Sequence, residues 1–336
     1  MMPTFAIAGK LTREYLLPPT GNPRLDALGG SLLYAAGGLA VWDSSIGLIA
    51  RVDNEYPSEW LNDLEKHGFD IRGIRIHPDL KHTDLRSFIA YTDKNERRHS
   101  SPVSHFARRQ LTFPKSLLNY QHPDDANKTL RDLDPLSPAA LDVPKDFRGI
   151  RWAHICPFDF TSQSQMVTLF KGSSNQTVCL DPDPVYMKPR FWRDLRVVLQ
   201  GLTAFLPSEE ELRSLFWGET NDLWEMARRI SDYGPHIIVI KRGALGQYIY
   251  KADTNQRFEI PAYSSRVADP TGAGDAFCGG FLAGMQRTND PLMAAMYGNV
   301  SASLKIEGTG PFYPLDVMPG LAEARLQALK EMAREI

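Results

Sequence analysis

The feature that most limits the possible folds is an alternation of short apolar segments with helical patterns along the C-terminal two thirds of the chain. Residues 151–156, 177–181 and 236–241 are apolar and have the length of strands. Between such segments apolar residues recur at helical spacing, as in 223–230. Strands that alternate with helices form a parallel sheet covered on both faces, so we expect an α/β fold.

The N-terminal third combines similar strands with a hairpin of a different type. Residues 5–9 and 44–52 are apolar and predict buried strands. Residues 86–98 alternate in polarity around a turn at 93–95, which predicts a hairpin with one face in solvent. Residues 107–134 are polar, with few paired apolar positions, and we interpret them as an irregular surface insertion.

The most informative motif is DPTGAGDAFCGGF, residues 269–281. Its proline and glycines predict a tight turn, and the apolar spacing that follows predicts a helix beginning near Gly274. The N–H groups of Ala273, Gly274 and Asp275 would point outward at that helix N-terminus and form an anion site. Asp275 lies at its edge, where the helix dipole favours a carboxylate and a hydroxyl proton can be accepted. The alternative is an aspartate cap after a glycine-rich turn.

Composition excludes several classes of function. The 38 Lys and Arg residues nearly balance the 40 Asp and Glu residues, so no basic excess indicates a nucleic acid or an anionic membrane as partner. The three cysteines are far apart and form no CxxC pair, which indicates buried reduced thiols. No apolar run reaches the roughly 20 residues that span a bilayer, and the N-terminus lacks a signal-peptide pattern. We therefore expect a cytoplasmic protein.

The 269–281 motif resembles the signature of the PfkB carbohydrate kinase family, the ribokinase-like sugar and nucleoside kinases. The family pattern is close to D-T-x-G-A-G-D-x-F, and here Pro270 displaces the threonine by one place. The resemblance extends to Gly29-Gly30 with the Ala-rich segment that follows, and to 241–246. It implies a three-layer α/β/α sandwich with a mostly parallel central sheet and a small β-sheet lid. A single domain would span 1–336, with lid strands from about 11–17 and 86–99.

The resemblance also implies the activity, which is ATP-dependent phosphoryl transfer to a hydroxyl of a sugar-like or nucleoside substrate. Asp275 would be the catalytic base, and Gly272, Ala273 and Gly274 would form the anion hole. ATP and Mg²⁺ are the implied cofactors; a monovalent cation is left open, as is a homodimer formed through the lid. Further implied contacts are Lys241, Gly243, Gly246 and Asn299 for the nucleotide, Glu14, Gly29, Gly30 and Tyr34 for the substrate, and Glu211, indirectly, for magnesium.

Several positions depart from the family pattern. Tyr34 replaces an asparagine, Glu14 an aspartate, Ser208 an asparagine and Lys241 a threonine. We therefore expect ribose to be a poor substrate, and Tyr34 to suit stacking on a base or an apolar sugar face. The alternative function is a ribokinase-like protein that binds a ligand without turnover. The intact turn with Asp275 argues against that alternative.

Two interpretations stay open for several side chains. Ser208 and Glu211 fit a capping box at a helix start, and Glu211 also fits a magnesium contact. Glu14 fits either a solvated turn or a ligand contact. Lys241 fits either a phosphate-facing cation or a strand end that extends to solvent. The segment Arg97-Arg98-His99 fits a solvated lid edge or a contact with an acidic substrate.

Overall fold

The structure is a computed structural model that describes residues 2–80, 83–94, 96–123, 128–172 and 176–336. Asn95, in the predicted hairpin turn, and 124–127, in the predicted insertion, lie outside the described residues. The strands are β1 (Phe5–Ala8), β2 (Thr12–Leu17), β3 (Arg24–Gly29), β4 (Ile46–Val52), β5 (Asp70–Ile76), β6 (Arg86–Tyr91), β7 (Arg97–Arg98), β8 (Trp152–Ile155), β9 (Thr177–Leu180), β10 (Ala204–Phe205), β11 (Ile237–Lys241), β12 (Gln247–Lys251), β13 (Gln256–Ile260) and β14 (Arg334–Glu335). The α-helices are α1 (Ser31–Ala40), α2 (Ser58–Lys66), α3 (Pro102–Arg108), α4 (Phe160–Phe170), α5 (Arg196–Leu199), α6 (Glu209–Leu215), α7 (Leu223–Ser231), α8 (Ala273–Thr288), α9 (Pro291–Lys305) and α10 (Leu321–Lys330).

Ten of these strands form the central sheet, in the order β14-β13-β12-β11-β10-β9-β8-β1-β4-β5. All neighbours from β11 to β5 run parallel, while β12, β13 and β14 add an antiparallel edge. Parallel neighbours need long crossover connections, and most of the helices lie in those connections. The predicted α/β fold with a mostly parallel sheet is confirmed.

Helices cover both faces of this sheet because successive strand residues point to opposite sides. Phe5 and Ile7 of β1 belong to one core, which α1, α8, α9 and α10 complete. Ala6 and Ala8 belong to the other core, which α4, α6 and α7 complete. The apolar faces of the helices thus pack against the sheet. Within the described residues, no helix has the length and hydropathy needed to cross a bilayer.

Four strands form a separate small sheet, the lid, in the order β3-β2-β6-β7. Strands β2 and β6 pair in parallel, whereas the two outer pairs are antiparallel. Strand β3 lies outside the lid segments expected from the sequence. Apart from Gly29 its residues are exposed or only partly buried, so it lacks the alternation that reveals a strand in a sequence.

Both faces of β6 are buried, which corrects the predicted hairpin with one face in solvent. On the outer face, Phe88 packs with Phe106 and Leu117. On the inner face, which is turned toward the central sheet, Tyr91 packs with Leu16. The hairpin is covered on the outside because a distant segment folds over it, and alternation along β6 alone carries no information about that segment.

That covering segment corrects the interpretation of 107–134 as a surface insertion. Leu117 is fully buried, and Leu111, Phe113 and Tyr120 pack beside it against the outer face of the lid. After the end of α3, the described part of the segment contains a short 3-10 turn at Lys115–Leu117 and no longer helix or strand, so its apolar residues follow no regular period. Its first part is therefore a cover for the lid.

Helix α8 packs against α1 with almost no side chain between the two backbones. A Cβ added to Gly38 would lie 2.1 Å from the Ala276 carbonyl oxygen. A Cβ added to Gly279 would lie 1.9 Å from the Ala35 carbonyl oxygen. Only glycine permits so close an approach. The contact fixes the start of α8 relative to the N-terminal strands.

Candidate active site

Charged side chains meet at the carboxyl edge of the central sheet. Asp181 directly follows β9, and Lys241 is the last residue of β11. The turn that leads into α8 lies above the same edge, because Lys241 Nζ would be 3.6 Å from a Cβ on Gly274. Ligands of open α/β sheets bind outside the carboxyl ends of the strands. This edge is therefore the candidate active site.

The glycine turn has the conformation that an anion site needs. Gly272 has φ of 71°, in the left-handed region, and caps α8, which begins at Ala273. The Ala273 N–H donates a 3.2 Å hydrogen bond to the carbonyl of Pro270. Among the described residues, the N–H groups of Gly272 and Gly274 have no hydrogen-bond acceptor. Two of the three predicted anion-hole donors thus remain available to a phosphate.

Lys241 extends into the protein rather than to solvent. Its ammonium group lies 2.6 Å from Asp181 Oδ2 and 3.7 Å from Cys278 Sγ. Burial acts to lower the pKa of Lys241, but Asp181, together with Cys278 and Glu211, more than offsets this and holds the pKa above its usual value. Lys241 is therefore a fixed positive charge beside Gly274. Of the two open interpretations, the strand end extending to solvent is wrong.

Asp275, in the first turn of α8, is a partly buried carboxyl group. Burial raises its pKa to about 6, while the charges of Lys241 and Arg97 oppose the shift. Arg97 belongs to β7 of the lid and pairs with Tyr91, so both lie on the inner lid face. A carboxyl group with a pKa near neutrality, beside an anion site, fits a general base.

Glu211 and Ser208 form the predicted capping box at the start of α6. The Glu211 N–H donates to Ser208 Oγ at 3.2 Å, and the Ser208 N–H donates to Glu211 Oε2 at 2.7 Å. Burial, followed by the charge of Asp181, raises the pKa of Glu211 to about 7. Asp181 Oδ1 is buried and has no hydrogen-bond partner among the described atoms. These carboxylates fit a water-mediated contact with a divalent cation as well as the cap.

The predicted nucleotide contacts divide into two kinds. Gly243 and Gly246 have positive φ and shape the loop between β11 and β12, near Lys241. Asn299, by contrast, is buried, and its side chain bonds only to protein groups. It donates to Gln247 Oε1 and the Pro261 carbonyl, and it accepts from the Tyr263 N–H. All of these groups are internal, so the structure gives Asn299 a positioning role and no free group for adenine.

On the substrate side, Glu14 and Tyr34 form a buried pair. The Tyr34 hydroxyl donates to Glu14 Oε1 at 2.8 Å, and Arg24 lies 3.4 Å from the same oxygen. Burial raises the pKa of Glu14 to about 7. The solvated turn is therefore the wrong interpretation of Glu14. Gly29, a cross-strand neighbour, leaves room for it, since a Cβ there would lie 2.6 Å from Glu14 Cβ.

The expected stacking face of Tyr34 is covered. Tyr34 is 2% exposed, and a Cβ on Gly272 would lie 2.1 Å from its Cγ. The ring thus packs directly beneath the glycine turn and supports it. Gly30, with φ of 106°, brings the chain close to the Lys10 carbonyl and starts α1 at the adjacent residue. Tyr34 and Gly30 shape the floor of the site, and this corrects the expectation that Tyr34 stacks on a base or a sugar.

The sequence did not indicate three further residues near the site. Asp181 could have been found from its place directly after a buried strand. Tyr91 reaches the turn from the lid, where the Thr271 hydroxyl donates to its phenolic oxygen at 3.2 Å. Lys305 lies under the turn at the end of α9, and no local signal distinguishes it from a surface lysine.

Comparison with known proteins assigns the family. Residues 165–318 match the family described as pfkB family carbohydrate kinase. A fructokinase from Salmonella thompson is 30% identical over 164 residues, which cover 45% of this chain and 70% of the relative. The chain belongs to the pfkB family of carbohydrate kinases. This pfkB-family kinase also matches a cytidine kinase from Thermococcus kodakarensis, 25% identical over 84% of the chain and 88% of the relative.

Solved structures show the same fold. An E. coli protein assigned as ribokinase II, in complex with ATP and Mg²⁺, has a TM-score of 0.70 at 20% identity. That match covers 98% of this chain and all of the other. A nucleoside kinase from Burkholderia thailandensis in complex with inosine has a TM-score of 0.68 at 18% identity, over 96% of this chain and 97% of the other. The ribokinase-like fold of this kinase is confirmed.

Proposed function

We propose that this kinase transfers the γ-phosphoryl group of ATP to a hydroxyl of a nucleoside or sugar-like substrate, with Asp275 as general base. The observation that carries the proposal is the placement of a partly buried carboxyl group, with a pKa of about 6, beside a turn that offers free N–H donors. A base with such a pKa is mostly ionised at neutral pH and still accepts a proton readily.

In the proposed reaction, Asp275 accepts the proton of the substrate hydroxyl as the oxygen attacks the γ-phosphorus. The new O–P bond forms as the bond to the β-phosphate oxygen breaks, and ADP leaves. The N–H groups of Gly272 and Gly274 hold the oxygens on which negative charge accumulates. The Lys241 ammonium is fixed by Asp181 and contributes positive charge on the same side.

Magnesium would be held by the nucleotide phosphates and, through water, by Glu211 and Asp181. When bound, it neutralises phosphate charge. The unpartnered Asp181 Oδ1 and the raised pKa of Glu211 both follow from burying carboxylates close together, and a cation relieves that cost.

For the acceptor we propose a nucleoside before a simple sugar. A relative that aligns with 84% of this chain is a cytidine kinase, and a structural neighbour is a nucleoside kinase in complex with inosine. Glu14 and Arg24 present a buried acceptor and a cation on the inner lid side, where ribose hydroxyls would lie. Free ribose remains the expected poor substrate, because it would leave the base-binding part of the site unfilled.

The lid contributes by excluding water. Tyr91 ties it to the turn, and Arg97 faces Asp275 from the same strand pair. Excluding water prevents hydrolysis of ATP in place of transfer. The single domain over 1–336, a homodimer through the lid and a cytoplasmic location stay predictions.

The decisive experiment measures ADP release from Mg-ATP across cytidine, adenosine, inosine, ribose, fructose and 2-dehydro-3-deoxygluconate. We expect turnover with at least one acceptor and its loss in Asp275→Asn. Nucleotide binding, measured by calorimetry, should persist in that variant. Binding of an acceptor without any ADP release in the wild type would support the ligand-binding alternative instead.

A further inference from the structure

Lys305, the last residue of α9, is completely buried, and its ammonium group lies inside a cage of oxygen atoms. Nζ lies 3.0 Å from the Asp269 carbonyl oxygen, 3.0 Å from the Gly308 carbonyl oxygen and 3.2 Å from Asp269 Oδ2. An ammonium group has three N–H donors and no acceptor, so three oxygens satisfy it completely. The geometry therefore identifies a protonated lysine, paired with the buried carboxylate of Asp269.

The cage is joined directly to the glycine turn. Asp269 is the first residue of the 269–281 motif, and its Oδ1 accepts the Thr271 N–H at 3.0 Å. The ammonium also lies 5.4 Å from the centre of the Tyr34 ring, which supports Gly272 from below. A change in the charge or size of the group at Nζ therefore acts on the turn through both Asp269 and Tyr34.

The donor set of the cage is that of a monovalent cation site. Two backbone carbonyls and a carboxylate are the hard oxygen ligands that alkali ions take, and NH₄⁺ is close to K⁺ in size. In this chain the oxygens are already bonded to Nζ, and neither Lys305 nor Asp269 has any exposed surface. A free monovalent cation, which the family resemblance left open, does not fit at these atoms.

We propose that Lys305 is a built-in cation beneath the signature turn, and that phosphoryl transfer by this kinase is consequently independent of K⁺. The lysine orients Asp269 and the turn; it is a positioning residue and does not touch the reacting atoms. The inference rests on the proposed function, in that the turn is taken to hold the nucleotide phosphates.

The first test is the ion dependence of the wild type. K⁺, Na⁺ and tetramethylammonium chlorides are exchanged at constant ionic strength while ADP release with the best acceptor is measured. We expect kcat/KM to change less than about twofold, since no ion has to bind. Stimulation by K⁺ of about tenfold or more over tetramethylammonium overturns the proposal.

The second test removes the side chain and asks whether an ion replaces it. Lys305→Ala leaves an empty space inside the oxygen cage. NH₄⁺ or K⁺ should therefore raise the kcat/KM of this variant by at least about fivefold, whereas tetramethylammonium should not. Lys305→Met fills the space without charge and should show no rescue. Lys330→Ala, at the exposed last position of α10, is the matched control and should behave as wild type.

A nucleotide-free readout separates this inference from the proposed reaction. The Tm of Lys305→Ala should rise in K⁺ or NH₄⁺ relative to tetramethylammonium, because an ion that binds only the folded state stabilises it. The wild-type Tm should not respond selectively. If the Tm of Lys305→Ala rises in K⁺ or NH₄⁺ but the wild type shows no kinase activity, the result would support the cage and contradict the proposed function. Equal Tm values in all salts for a folded Lys305→Ala would overturn the cage.

Discussion

The hydroxyl of Thr271, inside the glycine turn, donates a 3.2 Å hydrogen bond to the phenolic oxygen of Tyr91 at the end of lid strand β6. The two residues are 180 positions apart in the chain, so this bond joins the lid to the floor of the site. Burial raises the pKa of Tyr91, which therefore stays neutral at physiological pH. The contact holds the lid against the turn in this structure.

Tyr91→Phe should loosen the lid while leaving its packing intact. One hydrogen bond is lost, with an expected effect on lid closure of about 0.5–1.5 kcal/mol. Water should then enter more often, so the ratio of ATP hydrolysis without acceptor to transfer with acceptor should rise. Tyr120→Phe removes a hydroxyl on the outer lid side and is the control. An unchanged ratio in Tyr91→Phe would remove the lid contact from the mechanism.

Asp275→Asn should keep the fold and nucleotide affinity while lowering kcat by about 10²–10⁴-fold, the range for loss of a general base. In the wild type, kcat/KM should fall as the pH drops below about 6, the pKa of Asp275, because the protonated carboxyl cannot accept a proton. Rates with and without the substitution, measured from pH 5 to 8, test both points. A loss below tenfold would assign the base elsewhere.

Arg97→Met should shift the acidic limb of that pH profile to higher pH. Burial raises the pKa of Asp275, and Arg97 is one of the charges that hold it down, so removing the guanidinium raises the pKa further. Arg98→Met is a matched control, because Arg98 pairs with Ala90 and lies on the opposite lid face. If both variants moved the limb equally, the effect would come from net charge.

Gly272→Ala should lower the stability of the protein, whereas Gly274→Ala should not. At Gly272 the φ of 71° and the Tyr34 ring leave no room for a Cβ, so the turn must distort. At Gly274 the Cβ meets only Lys241 Nζ at 3.6 Å, and alanine favours the helix by about 1 kcal/mol. We expect a clear fall in Tm for the first variant. The second should retain its Tm but bind Mg-ATP more weakly, because the methyl group crowds the phosphates; unchanged affinity would place the phosphates elsewhere.

Glu14→Gln should make the stability of the protein less sensitive to a rise in pH toward neutrality. The folded-state pKa of Glu14 is about 7, above its unfolded value, so the stability that it contributes is complete below the unfolded pKa and is lost as pH rises through about 7. Glutamine mimics the protonated form and keeps the acceptor for Tyr34. The unfolding free energy of the variant relative to wild type should therefore rise between pH 5 and 8, by up to about 3 kcal/mol. Glu65→Gln, at an exposed position in α2, should show no such trend.

The parts of the fold that local patterns could predict are the buried strands and the glycine turn. Strands such as Ile237–Lys241 are apolar on both faces because helices cover both, and the run itself carries that information. Strand Arg24–Gly29 was missed because an edge strand of the lid needs few apolar residues. The cover over the lid was missed because its apolar residues, such as Leu117, follow no period.

The candidate site was predictable only where its residues are close in sequence. Gly272 to Asp275 belong to one turn, so the motif alone predicted their arrangement. The partners of Lys241 and Asp269 come from 60 and 36 positions away, respectively, and only the folded sheet brings them together. For Tyr34 the sequence predicted a contact that the structure does not show. An aromatic residue in a substrate motif was expected at the surface of the pocket, and it instead supports the turn from below.

The contact between α1 and α8 determines which part of the molecule can move. Gly38 and Gly279 bring the two helix backbones so close that neither helix can slide or rotate without a collision. The proposed proton acceptor Asp275 and the N–H groups proposed to bind phosphate, all at the start of α8, should thus keep their alignment through each catalytic cycle. Opening for substrate entry and product release is left to the four lid strands, which are attached at the turn mainly through one hydroxyl pair. Specificity can therefore change by substitution in the lid while the frame that aligns the reacting groups stays the same.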